Sequence, residues 1–357
     1  MEFDDIFRNK TPLKRMVYVL DLVQLNKKIL IDNFSIIYRT ILDFFHIYLA
    51  KNSLDTNEYN YVIEVIKLMG DLLLSIPTLV QKYWQHRSLC TILKKLLAHN
   101  NNIDIRLISL DTLLIYINIL ADNNIDIPDN LMLYLRHIIN FSYYCDNKHN
   151  KMIQYFHNTL PFDITLNIGN KLNFIKNGNE ALFLEKILYF ITHIKHRNNL
   201  YIWMNILHHN IFSILYPSTY NKIEIDNNKK QKIGFRPDCP IELQIICIKW
   251  LHNSFLRDKA LMLQLLDHEI YLLYIIEILR QTFLLPLKYI ILIKKAIFIY
   301  IEIFTDKQQI LKKCSTNIDN FIKSIIDHIF SLLTKSNVDL NLAAINLYTI
   351  LFKKSYI

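Results

Sequence analysis

The chain has 357 residues, of which 52% are hydrophobic and 20% are charged, and its formal net charge is +9. This composition supplies a hydrophobic core for one large domain or two ordinary ones and excludes a chain that is disordered throughout. The four glycines and eight prolines are too few for the many turns of a β-sandwich, barrel or propeller. Because the glycines stand singly, neither a P-loop nor a Rossmann glycine motif can be assembled, which excludes nucleotide binding through those motifs.

Apolar residues recur at intervals of three and four along nearly the whole chain, which is the pattern of amphipathic helices. The clearest example is residues 89–97, where the leucine and isoleucine side chains fall on one face. Polar starts separate the helices, such as Asp55 with Glu58 three residues later, a capping pair. The pattern predicts helices over residues 12–31, 33–51, 57–75, 78–98, 103–121, 128–145, 180–197, 199–215, 240–257, 268–285, 287–304, 317–335 and 338–353.

The spacing of the helices predicts an all-α fold, an armadillo/HEAT-like α-solenoid of paired antiparallel helices. Helix pairs recur about every 40 to 45 residues, the period of armadillo and HEAT arrays rather than of tetratricopeptide repeats. A compact irregular bundle is the competing architecture. So many helices are harder to build around one core than in a stack where each pair buries its face on its neighbours, which favours the solenoid.

Two polar segments interrupt the helical pattern and divide the chain. Residues 146–179 are rich in Asn and Lys with weak periodicity, and residues 217–238 have the composition of a solvated loop. The sequence therefore predicts N-terminal helical repeats over residues 1–145, an irregular helical segment with polar loops over 146–239 and a hinge at 217–239, and C-terminal helical repeats over 240–357.

The first residues are acidic and lack the basic flank and hydrophobic run of a secretory signal, so a cytoplasmic location is expected. The five cysteines form no C-x-x-C pair and are expected to be buried thiols. Residues 198–221 carry no Asp, Glu, Lys or Arg and are long enough to cross a bilayer. The polar side chains between Asn205 and Asn210 would lie near mid-membrane, so no membrane span is expected.

The sequence contains no motif typical of an enzyme or a metal site. His86 and Cys90 lie four apart on one predicted helix, but no second pair with zinc-site spacing follows, so ordinary packing is expected. The adjacent pair His208–His209 points in different directions on a helix, and His268–Glu269 lacks the second histidine of H-E-x-x-H. No catalytic residue, cofactor-binding residue or metal ligand is therefore assigned, and no cofactor is expected.

Lysine clusters raise the question of nucleic-acid binding along a helical array. They are spread along the chain, arginine is scarce and acidic residues are interleaved, which argues against nucleic acid. A karyopherin-like or RNA-binding helical-repeat adaptor is nevertheless the alternative function. The clusters are Lys27–Lys28, Lys94–Lys95, Lys229–Lys232, Lys294–Lys295, Lys312–Lys313 and Lys353–Lys354.

One segment, IPTLVQKYWQHRSLCTILKKLL at residues 76–97, is distinctive. It resembles the N-terminal helical region of the Ral GTPase-activating protein alpha subunit, a relative of tuberin. Upstream, KTPLKR at residues 10–15 and DNFSIIY at residues 32–38 are similar to the first two helices of that family, and NIDIR at residues 102–106 matches its next turn.

A second segment, RQTFLLP at residues 280–286, resembles an R-Q-x-F-L-L-P block of the same family in the same order along the chain. It is preceded by IKWL at residues 248–251, where family members have a similar helix, although the long polar insertion between the two is nearly absent here. Within these blocks, Trp84 and Trp250 are predicted to fill the core and Pro286 to mark a helix start.

The resemblance covers residues 10–122 well and 240–304 moderately, and what it implies is limited. Family members stimulate GTP hydrolysis by Ral-type small GTPases through a C-terminal domain that supplies a catalytic Asn. Their helical N-terminal region serves assembly with a beta subunit. Since no part of this chain matches that catalytic domain, the resemblance implies a non-catalytic scaffold whose partners are a beta-type subunit and, indirectly, a Ral-like small GTPase.

Overall fold

The computed structural model describes ten longer or shorter stretches of the chain. They are residues 10–51 without 50, 55–82, 84–98, 101–138, 179–194, 197–216, 239–266, 268–306, single positions between 326 and 333, and 337–355. Two compact units divide the chain, the first formed by Met1–Ile138 with Ile194–Trp203 and the second by Ile139–His193 with Met204–Ile357. The predicted three-part organisation stays a prediction.

All regular secondary structure in the described stretches is helical, which confirms the all-α class. The helices of the first unit are α1 (Pro12–Leu25), α2 (Ile29–Asp32), α3 (Phe34–Tyr48), α4 (Thr56–Ser75), α5 (Pro77–Gln81), α6 (His86–Leu96), α7 (Ile103–Asp122) and α8 (Asp129–Ile138). The later helices are α9 (Asn179–Thr192), α10 (Arg197–Leu207), a π-helical turn (His208–Phe212), α11 (Ser213–Leu215), α12 (Ile241–Arg257), α13 (Lys259–Leu265), α14 (Glu269–Phe283), a 3₁₀ turn (Leu287–Tyr289), α15 (Ile290–Asp306) and α16 (Val338–Ser355).

The core of the first unit is the packing of α4 along α7. Helix α4 begins where the sequence predicts, because the Asp55 carboxylate accepts the Glu58 N–H at 2.8 Å and the Glu58 carboxylate accepts the Asp55 N–H at 3.4 Å. The two helices come close at Gly70, where an added Cβ would lie 3.6 Å from Ile115 Cδ1. Most apolar side chains of the faces that meet here are buried, and each fully buried side chain of this kind contributes about 1.5–3 kcal/mol.

Sequence reasoning predicts one helix over residues 12–31, and this is wrong. Helix α1 ends at Leu25, and Asn26 adopts an extended backbone conformation. The side-chain oxygen of Asn26 accepts the Lys28 backbone N–H at 3.0 Å. Asparagine offers the backbone this local alternative to helical hydrogen bonds, so the chain turns before α2.

The predicted helix over residues 78–98 is also two helices, α5 and α6. Between them, Gln85 has a left-handed backbone with φ of 55°, a conformation that costs roughly 1–2 kcal/mol for a non-glycine residue. Helix α13 is absent from the predicted elements, although Asp258 caps it by accepting the Leu261 N–H at 2.9 Å.

In the second unit, α12 is the central helix and packs against α9, α14 and α15, while α16 packs against α15. The second unit buries large side chains along all of these contacts, among them Trp250, Tyr274 and Tyr300. Three predictions fall mainly outside the described residues: the helix over 317–335, the polar segment 146–179 and the hinge at 217–239. Of the five cysteines, Cys90, Cys239 and Cys247 are described, and all three are buried free thiols.

Candidate functional site

The turn between α5 and α6 is held by aromatic packing. The half-buried Trp84 ring lies 5.5 Å from the Phe34 ring in an edge-on arrangement and 4.6 Å from the Tyr38 ring. The Trp84 backbone N–H also donates to the Leu79 carbonyl at 3.2 Å. Residues from two helices of the first unit therefore fix the conformation that gives Gln85 its left-handed backbone.

An open pocket of about 430 Å³ lies at the start of α6, lined by Gln85, His86, Arg87 and Ser88. The Tyr38 hydroxyl and the Ser88 hydroxyl are hydrogen-bonded at 2.8 Å. Burial raises the pKa of Tyr38 to about 12, so its hydroxyl stays protonated. With Arg87 exposed and no acidic residue anywhere in α6, the rim of the pocket offers hydrogen-bond donors and a positive charge but no activated nucleophile.

The His86–Cys90 pair considered from its spacing is indeed in contact. Cys90 Sγ lies 3.5 Å from His86 Nε2, and His86 Nδ1 lies 2.8 Å from the Tyr116 hydroxyl. Burial raises the pKa of the Cys90 thiol to about 11 and lowers the pKa of His86. A neutral thiol beside a neutral imidazole is the protonation state of packed side chains and not of a thiolate nucleophile.

The second block singled out from the sequence, residues 280–286, is built differently, around a charged pair inside the core. Arg280 Nε donates to one Glu277 carboxylate oxygen at 2.7 Å and its terminal nitrogen donates to the other at 2.5 Å. Gln281 also donates to this carboxylate, at 2.7 Å. The exposed fractions of Glu277 and Arg280 are 1% and 2%, so the pair is removed from water.

Further buried hydrogen bonds extend this network to other segments of the second unit. The Gln281 side-chain oxygen accepts the Cys239 N–H at 3.0 Å. Gln244 of α12 donates to the Thr282 hydroxyl at 2.8 Å and accepts from the Tyr216 hydroxyl at 2.7 Å. The polar members of the block are thus structural groups that join α12, α14 and the chain on either side of residues 217–238.

Sequence reasoning missed this network, although a signal was present. Glu277 precedes Arg280 by three residues and Gln281 by four, the spacing at which helical side chains meet, within an otherwise apolar helix. Two opposite charges and an amide on one side of such a helix indicate a buried, paired group, because an isolated charge would not be tolerated there.

The structure also places the other residues singled out from the sequence. His208 and His209 fall in the π-helical turn with rings 4.3 Å apart, and buried His208 contacts Tyr274. His268 is exposed at the start of α14. Trp250 is buried, as predicted, and Pro286 begins the 3₁₀ turn that leads into α15.

The lysine clusters are distributed over several helices. Lys27–Lys28 lie between α1 and α2, Lys94–Lys95 in the last turn of α6, and Lys294–Lys295 on α15, where Lys294 pairs with Asp339 at 3.0 Å. Lys229–Lys232 and Lys312–Lys313 lie outside the described residues.

The described part of the chain contains neither a metal-binding cluster nor a membrane-spanning helix. Within it, no three His, Cys, Asp or Glu side chains are grouped closely enough to hold a metal ion. In the same residues, no helix combines the length and the apolar character that crossing a membrane requires.

Comparison with known families gives a match to the RALGAPA1 N-terminal domain over residues 4–198. The matched range is more than half of the chain and contains the turn at Trp84 and the pocket beside it. Comparison with curated proteins and with solved structures gives no match. The chain therefore belongs to the RALGAPA1 N-terminal domain family, the family of the Ral GTPase-activating protein alpha-type N-terminal region.

Proposed function

We propose that this chain is a non-catalytic scaffold of a GTPase-activator complex that regulates small GTPase signalling in the cytoplasm. The observation that carries the proposal is the family match over residues 4–198. The partner that the proposal names is a beta-type subunit of a Ral GTPase-activating complex, and through that complex the chain acts on a Ral-like small GTPase.

The chemistry of the described side chains supports a binding role. At the pocket beside α6, the one nearby thiol, Cys90, is buried and its pKa is raised to about 11. In the second unit, the charged side chains of Glu277 and Arg280 form an ion pair inside the core. The polar groups of both blocks hold the fold, and the exposed groups offer contacts to a partner.

The scaffold is proposed to be an armadillo- or HEAT-like α-solenoid. Its support in the first unit is that the main contacts join helices no more than three places apart along the chain: α1 and α3 on α4, α4 on α7, and α6 on α7 and α8. In a solenoid, stacking of this kind leaves a continuous surface along each helix layer, which suits helices or extended segments of partner proteins.

The test is single-turnover GTP hydrolysis by purified Ral, Rap and Rheb-type GTPases, with and without the purified chain. We expect the hydrolysis rate to be unchanged, because the proposal gives the chain a binding role and leaves catalysis to another part of the complex. Acceleration of about tenfold or more, equal to about 1.4 kcal/mol of barrier, would overturn the non-catalytic assignment.

A companion measurement separates the scaffold from the RNA-binding alternative. We expect no retention on single-stranded RNA at physiological salt. Retention that falls steeply between about 50 and about 200 mM salt would identify a phosphate-binding array instead.

A further inference from the structure

Helix α15 carries an apolar stripe on the side that faces solvent. Its inner side, with Ile293, Ala296 and Tyr300, is fully buried. Ile291 and Phe298 lie on the opposite side, seven residues or two turns apart, with exposed fractions of 69% and 46%. Large apolar side chains that stand in line on one helix and in water are typical of a contact surface rather than of a monomer's ordinary exterior.

Lysines flank this stripe on both sides. Between Ile291 and Phe298 lie Lys294 and Lys295, which diverge by about 100° around the helix, and Lys288 precedes them in the 3₁₀ turn. From Leu287 to Phe298 the chain has three lysines and no acidic residue. We call Lys288, Ile291, Lys294, Lys295 and Phe298 the lysine-flanked stripe.

The position of the two central lysines is fixed by their neighbours. Lys294 reaches Asp339 of α16 at 3.0 Å. Lys295 lies on the α12 side, where burial first, and the charge of Lys295 second, lower the pKa of His252. The positive charges therefore stand on either side of the apolar line, with α16 beyond one and α12 beyond the other.

The carboxylates next to the stripe are already paired. Glu302 binds Lys259 and Asp339 binds Lys294. Both pairs are exposed to solvent, and pairs of this kind are weak enough to be exchanged. An incoming carboxylate must share Lys294 with Asp339, so the flank at Lys288 and Lys295 is expected to contribute more to binding than the flank at Lys294.

We propose that the lysine-flanked stripe binds an amphipathic helix of a protein partner, with apolar side chains seated on Ile291 and Phe298 and with Glu or Asp along both flanks. Charge complementarity selects this occupant, because the stripe presents lysines to both edges of whatever lies along it. The two-turn spacing of the apolar anchors equals the i, i+7 spacing on a partner helix. This inference deepens the proposed scaffold function and rests on it.

A membrane surface is the competing occupant, and the geometry disfavours it. A flat anionic membrane would meet Glu302 and also Asp339, which has a side chain 74% exposed. Glu302 lies on the same face as the stripe, one turn beyond Phe298. A partner helix seated on Ile291 and Phe298 can end before Glu302, whereas a flat surface cannot avoid it.

The experiment is fluorescence anisotropy of the full chain with a labelled helical peptide of about 18 residues, long enough for five turns. The peptide carries leucines at i, i+3, i+4 and i+7 spacing with glutamates on both flanks, and a second peptide replaces every glutamate by lysine. We expect saturable binding of the acidic peptide that weakens with salt, and binding of the basic peptide weaker by at least about tenfold.

Three variants complete the test. Ile291→Glu with Phe298→Glu is expected to weaken acidic-peptide binding by at least about tenfold, as loss of central apolar anchors does. Lys288→Glu with Lys295→Glu is expected to weaken it by at least about threefold. The matched control, Leu25→Glu with Leu74→Glu, changes exposed apolar residues of the first unit and is expected to leave binding unchanged.

Absence of acidic-peptide binding, equal binding by the Ile291/Phe298 variant, or equal binding of the basic peptide overturns the proposal. So does retention on phosphatidylserine vesicles that the Ile291/Phe298 variant abolishes, since it identifies a membrane surface. Co-elution with the beta-type subunit is measured in parallel. If the beta-type subunit binds but the stripe fails its own test, the scaffold function stands and this inference falls.

Discussion

The two blocks singled out from the sequence, residues 76–97 and 280–286, are distinguished by where their polar side chains lie. In the first, residues 84–88 form a turn at the surface, with Arg87 exposed and a pocket open to solvent. In the second, Arg280, Gln281 and Thr282 are entirely inside, and each has its hydrogen bonds within the protein.

The difference teaches that two blocks distinctive in sequence are subject to two different physical constraints. The first block is constrained by shape, because Trp84 must pack between Phe34 and Tyr38 while Gln85 adopts a left-handed backbone. The second is constrained by polar satisfaction, because a buried charge without its partner costs several kcal/mol. Substitutions should therefore lower the free energy of unfolding far more in the second block than in the first.

The largest effect is expected from Glu277→Leu. It leaves the Arg280 guanidinium buried without its carboxylate, so the free energy of unfolding should fall by about 3–5 kcal/mol in urea denaturation. The matched control is the double change Glu277→Leu with Arg280→Met, which removes both charges and should recover most of the loss. Equal destabilisation by the single and double variants would contradict the buried-pair account.

A smaller loss is expected from Gln244→Leu. This change removes the acceptor of the buried Tyr216 hydroxyl and one donor to the Thr282 hydroxyl, which keeps its own bond to the Ile278 carbonyl. A buried group left unsatisfied costs about 1–3 kcal/mol. Chemical denaturation should show the loss, whereas Gln264→Leu on the exposed side of α13 should be nearly neutral. A neutral Gln244→Leu variant would show that the network does not stabilise the fold.

At the first block, the backbone of Gln85 sets the expected order of two variants. Gln85→Val puts a β-branched residue at positive φ and should destabilise by about 1–2 kcal/mol. Gln85→Gly suits that conformation and should change the free energy of unfolding by less than about 1 kcal/mol. The reverse order in thermal or urea unfolding would show that the left-handed turn is not formed.

The smallest effect concerns pH. Burial lowers the pKa of His86 below its usual 6.5, so the unfolded chain takes up a proton before the folded one as the pH falls. Stability should therefore decline as the pH drops through 6.5 toward the lower folded pKa. His86→Gln should flatten this decline, while Arg87→Gln, whose original charge does not titrate in this range, should leave it unchanged. Unfolding curves measured between about pH 5 and about pH 8 supply the comparison.

Local signals in the sequence predicted the parts of the fold that depend on local physics. The Asp55–Glu58 cap and the helix over residues 103–121 are where the sequence places them, because a cap and an apolar period lie within a few residues of each other. The end of helix α1 before Asn26 was not predicted, although its cause is also local. An asparagine within an apolar helical period can equally be a solvent-facing residue of a continuing helix.

The rest could not be predicted because its cause is distant in sequence. The turn at Gln85 depends on Trp84 meeting residues some fifty positions earlier. The pairing of Gln244 with Thr282, and of Gln281 with Cys239, requires knowledge of which helices pack together. The apolar residues Ile291 and Phe298 of α15 are exposed, although apolar residues at helical spacing are normally predicted to be buried. Only the structure shows which side of α15 faces solvent.

The central proposal is that the chain assembles with a GTPase-activating complex. Its most direct test is size-exclusion chromatography with light scattering of the full chain mixed with the purified beta-type subunit. The account predicts a stable complex whose mass is the sum of the two chains. Separate elution of the two proteins at concentrations of about 10 μM, well above the dissociation constants of stable complexes, would contradict it.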